Sequence, residues 1–98
     1  MSRKSRINRL INEWGNKCIL CGEPFATRSC ITREHIIPSC ISKGLGLQGN
    51  IAPSHYNCNK LRADLPIIDA IFLIKEKREK IGEKQFKLWI SKKVPNGS

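Results

Sequence analysis

The chain has 98 residues, enough for one small domain, and 18 Lys and Arg against 8 Asp and Glu give it a net charge of +10. Its five cysteines are an odd number, which excludes a complete disulfide framework, and its longest apolar run, Ile67 to Ile74, is broken by Asp69 and is too short to span a membrane. Residues 1–10 are basic and polar rather than an apolar signal segment, so a reducing, intracellular (cytoplasmic) setting is expected, where cysteine pairs usually hold metal.

The first expected element is an amphipathic helix over residues 5–14. Ile7, Leu10, Ile11 and Trp14 fall at i, i+3, i+4 and i+7, one helical face, while Arg3, Arg6 and Arg9 lie off it. Gly15 and Asn16 end it. Residues 17–63 form the second part. Cys18 to Cys21 is a knuckle, followed by a turn over Gly22–Pro24. Ile31 to Ile37 reads as a strand stopped by Pro38, residues 39–50 as a glycine-containing loop, and Ile51–Ala52 as a short second strand. A helix is expected from about His55 to Ala63. The third part, residues 64–93, is helical, with Asp64 as N-cap and Pro66 in the first turn. Ile67, Ile68, Ile71, Phe72 and Ile74 are expected to supply its buried side, Gly82 to interrupt it, and Phe86, Trp89 and Ile90 to resume the pattern. Residues 94–98 read as a frayed tail. No internal repeat or low-complexity tract is present.

Charge is uneven along these parts. Residues 1–17 carry five basic and one acidic residue, residues 75–93 eight and three, and residues 18–74 five and four. Basic flanks around a more neutral centre suit a polyanion, most simply nucleic acid. The only aromatics are Trp14, Phe25, Tyr56, Phe72, Phe86 and Trp89, and most fall on core stripes, which disfavours an RNA-binding protein that stacks bases.

The chemistry concentrates in residues 17–63. Cys18 and Cys21 form the knuckle CILC, and His55 and Cys58 the knuckle HYNC, with 33 residues between. Two such pairs can aim four donors at one tetrahedral zinc ion, and a neutral imidazole beside three thiolates is an ordinary donor set. An alternative set uses Cys30 or Cys40 as fourth ligand and frees His55, at the cost of abandoning the second knuckle.

Between the knuckles runs Glu34-His35-Ile36-Ile37-Pro38, then Asn50, and after His55 and Cys58 comes Asn59. This order resembles the HNH endonuclease family, the ββα-metal nucleases, over about residues 17–63. The resemblance implies an α+β fold: a small ββα-metal core with a structural zinc, flanked by N- and C-terminal helices. It implies that His35 is the general base, a role suited to an imidazole. Glu34, where the family usually has Asp, and Asn59 would bind the catalytic divalent ion, Mg²⁺ or Mn²⁺, and Asn50 would brace the loop. Cys18, Cys21, His55 and Cys58 match the structural-zinc positions, with His55 standing where knuckled members usually carry Cys. Arg33, Lys60 and Arg62, together with Arg3 and Arg6, are candidates for phosphate contacts. The expected activity is metal-dependent hydrolysis of phosphodiester bonds in double-stranded DNA, by a monomer or weak homodimer. The alternative is a zinc-stapled DNA-binding module that does not cut.

Overall fold

In the computed structural model, which describes residues 3–35 and 51–95, the first apolar stripe forms α1, Arg3–Trp14. Ile7 and Leu10 are buried and Ile11 is half-buried, as their spacing requires, but Trp14 at the end of the stripe is exposed. Gly15 ends the helix at φ 85°, a left-handed conformation open to glycine, and its N–H closes on the Ile11 carbonyl at 2.8 Å.

The CILC knuckle follows as a tight turn. Gly22 N–H donates to the Cys18 carbonyl at 2.9 Å, and Cys18 N–H donates to the Glu23 carbonyl at 3.0 Å. A short 3-10 turn over Arg28–Cys30 leads into β1, Ile31–His35. Its antiparallel partner is β2, Ile51–His55, in the register Ile31↔His55 through His35↔Ile51. The expected β1 residues Ile36 and Ile37, and the expected loop 39–50 with Cys40 and Asn50, lie outside the described residues.

The second strand is longer than the expected Ile51–Ala52 and runs through Pro53. A proline lacks the N–H that a central strand needs, but it is tolerated on an edge. In a two-stranded sheet β2 has such an edge, and there the Pro53 carbonyl accepts the Ile19 N–H at 3.0 Å, docking the knuckle against the strand. From Ala52 to His55 every residue is buried, so β2 is the central plank of the fold.

Three helices complete the order: α2, Tyr56–Arg62; α3, Ile67–Ile81; and α4, Glu83–Ile90. Together with the antiparallel pair they make an α+β fold. α3 begins one residue after Pro66, so Pro66 takes the N-cap place expected of Asp64, which stays in the exposed turn before it. The inward face of α3 also differs from expectation. Ala70 and Ile74 enter the core, whereas Ile68 and Phe72 are 67% and 65% exposed. The apolar run 67–74 has large side chains on nearly every azimuth, so its periodicity does not select a face; the small Ala70 admits the closest approach. Phe86 and Ile90 of α4 reach the same core, where Ile7, Leu20, Phe25 and Ile31 meet them. The tail is tied rather than frayed at its start, because Val94 N–H donates to the Ser29 carbonyl at 2.8 Å. Among the described residues no helix is long and apolar enough to cross a membrane.

Candidate metal centre and basic cleft

The two knuckles converge. Cys18 and Cys21 come from the turn after α1, His55 is the last residue of β2, and Cys58 is the third residue of α2. His55 and Cys58 are three apart across the strand-to-helix junction, which brings both side chains to one side. The four donor atoms all lie within 4.8 Å of one another. His55 Nδ1 is 3.3 Å from Cys21 Sγ and 4.0 Å from Cys58 Sγ. Around a zinc ion with Zn–S of ~2.3 Å and Zn–N of ~2.0 Å, tetrahedral donors lie about 3.5–3.8 Å apart, so this set, spanning up to 4.8 Å, would close on zinc with a small contraction.

The second layer fits as well. His55 Nε2 is 3.3 Å from the Pro24 carbonyl, which can only accept, so the ring proton belongs on Nε2 and the Nδ1 lone pair faces the sulfurs. Phe25 packs on the imidazole with ring centroids 4.6 Å apart. Cys18 Sγ accepts the backbone N–H of Leu20 at 3.3 Å and of His55 at 3.4 Å, contacts that favour a thiolate.

Electrostatics explain what a cation would contribute. Burial opposes ionisation of Cys18, but hydrogen bonds from Cys21, Cys58 and His55 outweigh it and hold this thiol far below its ordinary range. Cys21 is pushed up to about 12, first because it gives its hydrogen bond to Cys18. Cys58 is raised for the same reason, with its bond to Cys21 adding to it. The three crowded sulfurs thus oppose one another's ionisation, and a divalent cation among them would offset that opposition. Cys30, the alternative ligand among the described residues, does not join them. It is buried and its Sγ donates to the Thr27 carbonyl at 3.1 Å.

On the sheet and α2, where Tyr56 and Asn59 directly follow His55 and Cys58 in the chain, lies a cleft of about 480 Å³ lined by Arg6, Thr32, Arg33, Tyr56, Asn59 and Lys60 among others. Arg6, Arg33 and Lys60, expected from sequence at phosphates, therefore share one concavity although they come from α1, β1 and α2. Asn59 Nδ2 donates to Thr32 Oγ1 at 3.3 Å, and Thr32 Oγ1 sits 2.9 Å from Ser54 Oγ. This chain of bonds commits the Asn59 amide nitrogen to the sheet.

Two further residues escaped the sequence reading. The Tyr56 ring carries the Lys60 ammonium 5.5 Å and the Lys92 ammonium 5.9 Å from its centroid, gathering charge from α2 and the C-terminal segment around one aromatic. The YxxxK spacing in α2 was the available signal for the first of these.

Arg62 corrects the expectation of a phosphate contact. It is 1% exposed, and its Nε donates to the Leu65 carbonyl at 2.8 Å, so it braces the α2–α3 turn from within. Glu34 and His35 close β1 opposite Ala52 and Ile51. Their side chains, the Arg3 side chain and all of Asn50 lie outside the described part of the structure.

Compared with family models, curated proteins and solved structures, the chain matches none.

Proposed function

We propose that this chain is a zinc-stapled nucleic-acid-binding domain of the ββα-metal type that hydrolyses DNA phosphodiester bonds. The observation that carries the proposal is the juxtaposition of the Cys18–Cys21–His55–Cys58 cluster with a cation-lined cleft along β1 and α2. The zinc would be structural, because four protein ligands leave it no open position. Its part is to fix β2 and α2 against the first knuckle, and with them the walls of the cleft.

The proposed chemistry belongs to the end of β1. Thr32, hydrogen-bonded to Asn59, precedes Glu34 by two residues and His35 by three on that strand. His35 would take a proton from the attacking water, and Arg33, Arg6 and Lys60 would hold the phosphates on either side of the scissile bond. Asn50 would brace the segment that leads back into β2. A catalytic Mg²⁺ or Mn²⁺, held by Glu34 and Asn59, would supply charge stabilisation at the phosphate and at the departing 3′ oxygen. The products would be a 5′ phosphate and a 3′ hydroxyl. The resemblance to HNH endonucleases supports the catalytic assignment; the cations alone support binding without cleavage equally well.

The test is conversion of supercoiled plasmid to nicked or linear DNA by zinc-loaded protein with Mg²⁺ or Mn²⁺. Wild type is expected to cut. His35→Ala is expected to bind DNA with unchanged affinity and zinc content while losing cleavage by at least about 10²-fold. Normal cutting by that variant removes His35 from the reaction, and a wild type that binds but never cuts makes the domain a binding module.

A further inference from the structure

We infer that the groove between the first knuckle and the α3–α4 corner is the route by which metal leaves and re-enters the centre, that Cys21 is the ligand released first, and that the Arg78–Glu23 pair is the latch that holds this flank shut. Such a gate needs the metal centre but no cleavage of DNA. Three of the four ligands are sealed in the fold: Cys18, His55 and Cys58 are 2%, 1% and 0% exposed. Cys18 Sγ lies under the N–H groups of Leu20 and His55, and His55 is held between the Pro24 carbonyl and the Phe25 ring. Cys21 differs. It is half-buried and lines a groove of about 580 Å³ whose other wall is α3 and the first turn of α4, through Ile74, Arg78, Glu79, Glu83 and Phe86. None of the other three ligands lines that groove. A zinc ion closed in by four protein ligands exchanges only when one of them lets go, and Cys21 is the one with room to do so.

Arg78 crosses this groove. Its Nη2 donates to Glu23 Oε1 at 2.8 Å and to Glu83 Oε2 at 2.8 Å, and its Nε donates to Glu83 Oε1. Glu23 stands two residues after Cys21 and organises the knuckle through its backbone: its carbonyl accepts the Cys18 N–H at 3.0 Å, and its main chain also hydrogen-bonds to Cys21. Arg78 therefore holds, through one carboxylate, the residue that orients both cysteines of the turn. The Arg78 and Glu23 side chains are 29% and 26% exposed, so the pair is partly shielded from solvent yet still within reach of salt. When Arg78 lets go, the turn that carries Cys21 loses its tie to α3 and can open locally while the buried ligands stay in place. The same step returns the Glu23 and Glu83 carboxylates to a groove that Glu79 also lines, and carboxylate oxygens are zinc donors for an ion in transit.

The test is the rate at which the zinc-loaded full chain gives up its metal to a saturating chromophoric chelator, pyridylazoresorcinol, after zinc content has been measured. Arg78→Leu and Glu23→Gln are each expected to start with one zinc per chain and to release it about three- to tenfold faster than wild type. Raising salt from about 0.05 to about 0.5 M is expected to speed release from wild type and to leave Arg78→Leu unchanged. Cys30→Ser, a destabilising change away from the groove, is expected to release zinc at the wild-type rate. Brief treatment of zinc-loaded wild type with N-ethylmaleimide, followed by mass-spectrometric mapping, reads the ligand order: the sulfur adds to the maleimide double bond and the neighbouring carbon takes a proton from water. Among the three cysteine ligands Cys21 is expected to be labelled first, and sooner in Arg78→Leu. Release as slow in Arg78→Leu as in wild type overturns the inference, as does labelling of Cys18 or Cys58 before Cys21. So does a Cys30→Ser variant that loses zinc as fast as Arg78→Leu, because exchange would then follow general unfolding; a chain that holds no zinc at the outset removes the centre itself.

Discussion

Replacing Cys58 by Ser puts the metal centre to a quantitative trial. Cys58 is fully buried on the first turns of α2, and its Sγ is 4.0 Å from His55 Nδ1 within the donor cluster. A structural zinc of this kind contributes about 10–16 kcal/mol of binding free energy. A domain of this size is stable by only about 5–15 kcal/mol in total. The fold therefore has no reserve with which to lose the metal. A serine hydroxyl does not ionise near neutrality, so the variant keeps three ligands and one buried, unsatisfied polar group. Zinc per chain after dialysis against a mild chelator, and urea unfolding followed by Trp14 and Trp89 fluorescence, are the assays. The expected result is a variant that loses its zinc and shows no cooperative transition at 25 °C. Cys30→Ser is the control, because Cys30 is equally buried but bonds only to the Thr27 carbonyl among the described contacts. It is expected to keep one zinc and lose about 1–2 kcal/mol. A Cys58→Ser protein that holds one zinc and unfolds cooperatively like wild type would refute the reasoning.

Protons should compete with the metal. In the unfolded chain thiols have an ordinary pKa of about 8.5, so zinc binding near neutrality displaces about three protons and its affinity should rise about 10³-fold per pH unit between pH 7 and 8. Competition titration with a chelator at several pH values measures the slope, and a flat profile speaks against three thiolate ligands. Arg62→Met should destabilise the domain by about 2–4 kcal/mol through the lost Leu65 bond and leave the salt dependence of DNA binding intact. Arg33→Met should do the reverse, lowering the salt slope by about one with unchanged melting; equal salt slopes for both variants would count against the cleft. Arg78 donates to Glu23 at 2.8 Å and to both carboxylate oxygens of Glu83, pinning the knuckle turn to the α3–α4 corner. Arg78→Leu should lower the melting midpoint by a few degrees at low salt, with the gap narrowing as salt rises and zinc retained. A gap that does not respond to salt would mean that packing on Phe86, 5.1 Å away, rather than charge, is what Arg78 supplies.

Those residues whose chemistry is local were legible in the sequence. Two-residue gaps between soft donors announced the metal cluster, and the i, i+3, i+4 row of α1 announced which of its residues are buried. What escaped was decided by distant partners. Pro53 reads as a strand breaker until β2 is known to be an edge that receives Ile19. Arg62 reads as a surface cation until the α2–α3 turn folds the Leu65 carbonyl over it. The 67–74 run offered too many apolar choices, and of them Ala70 and Ile74 face the core. Tyr56 gathers Lys60, four residues away, but also Lys92, which no spacing rule connects to it.

The claim on which the rest stands is that three sulfurs and one imidazole nitrogen hold a single cation. X-ray absorption at the zinc edge of the purified protein measures this directly. The account predicts one zinc per chain with three sulfur neighbours at ~2.3 Å and one nitrogen at ~2.0 Å. A shell of four sulfurs, which would bring in a cysteine outside the cluster, or a chain that folds without zinc, would contradict it.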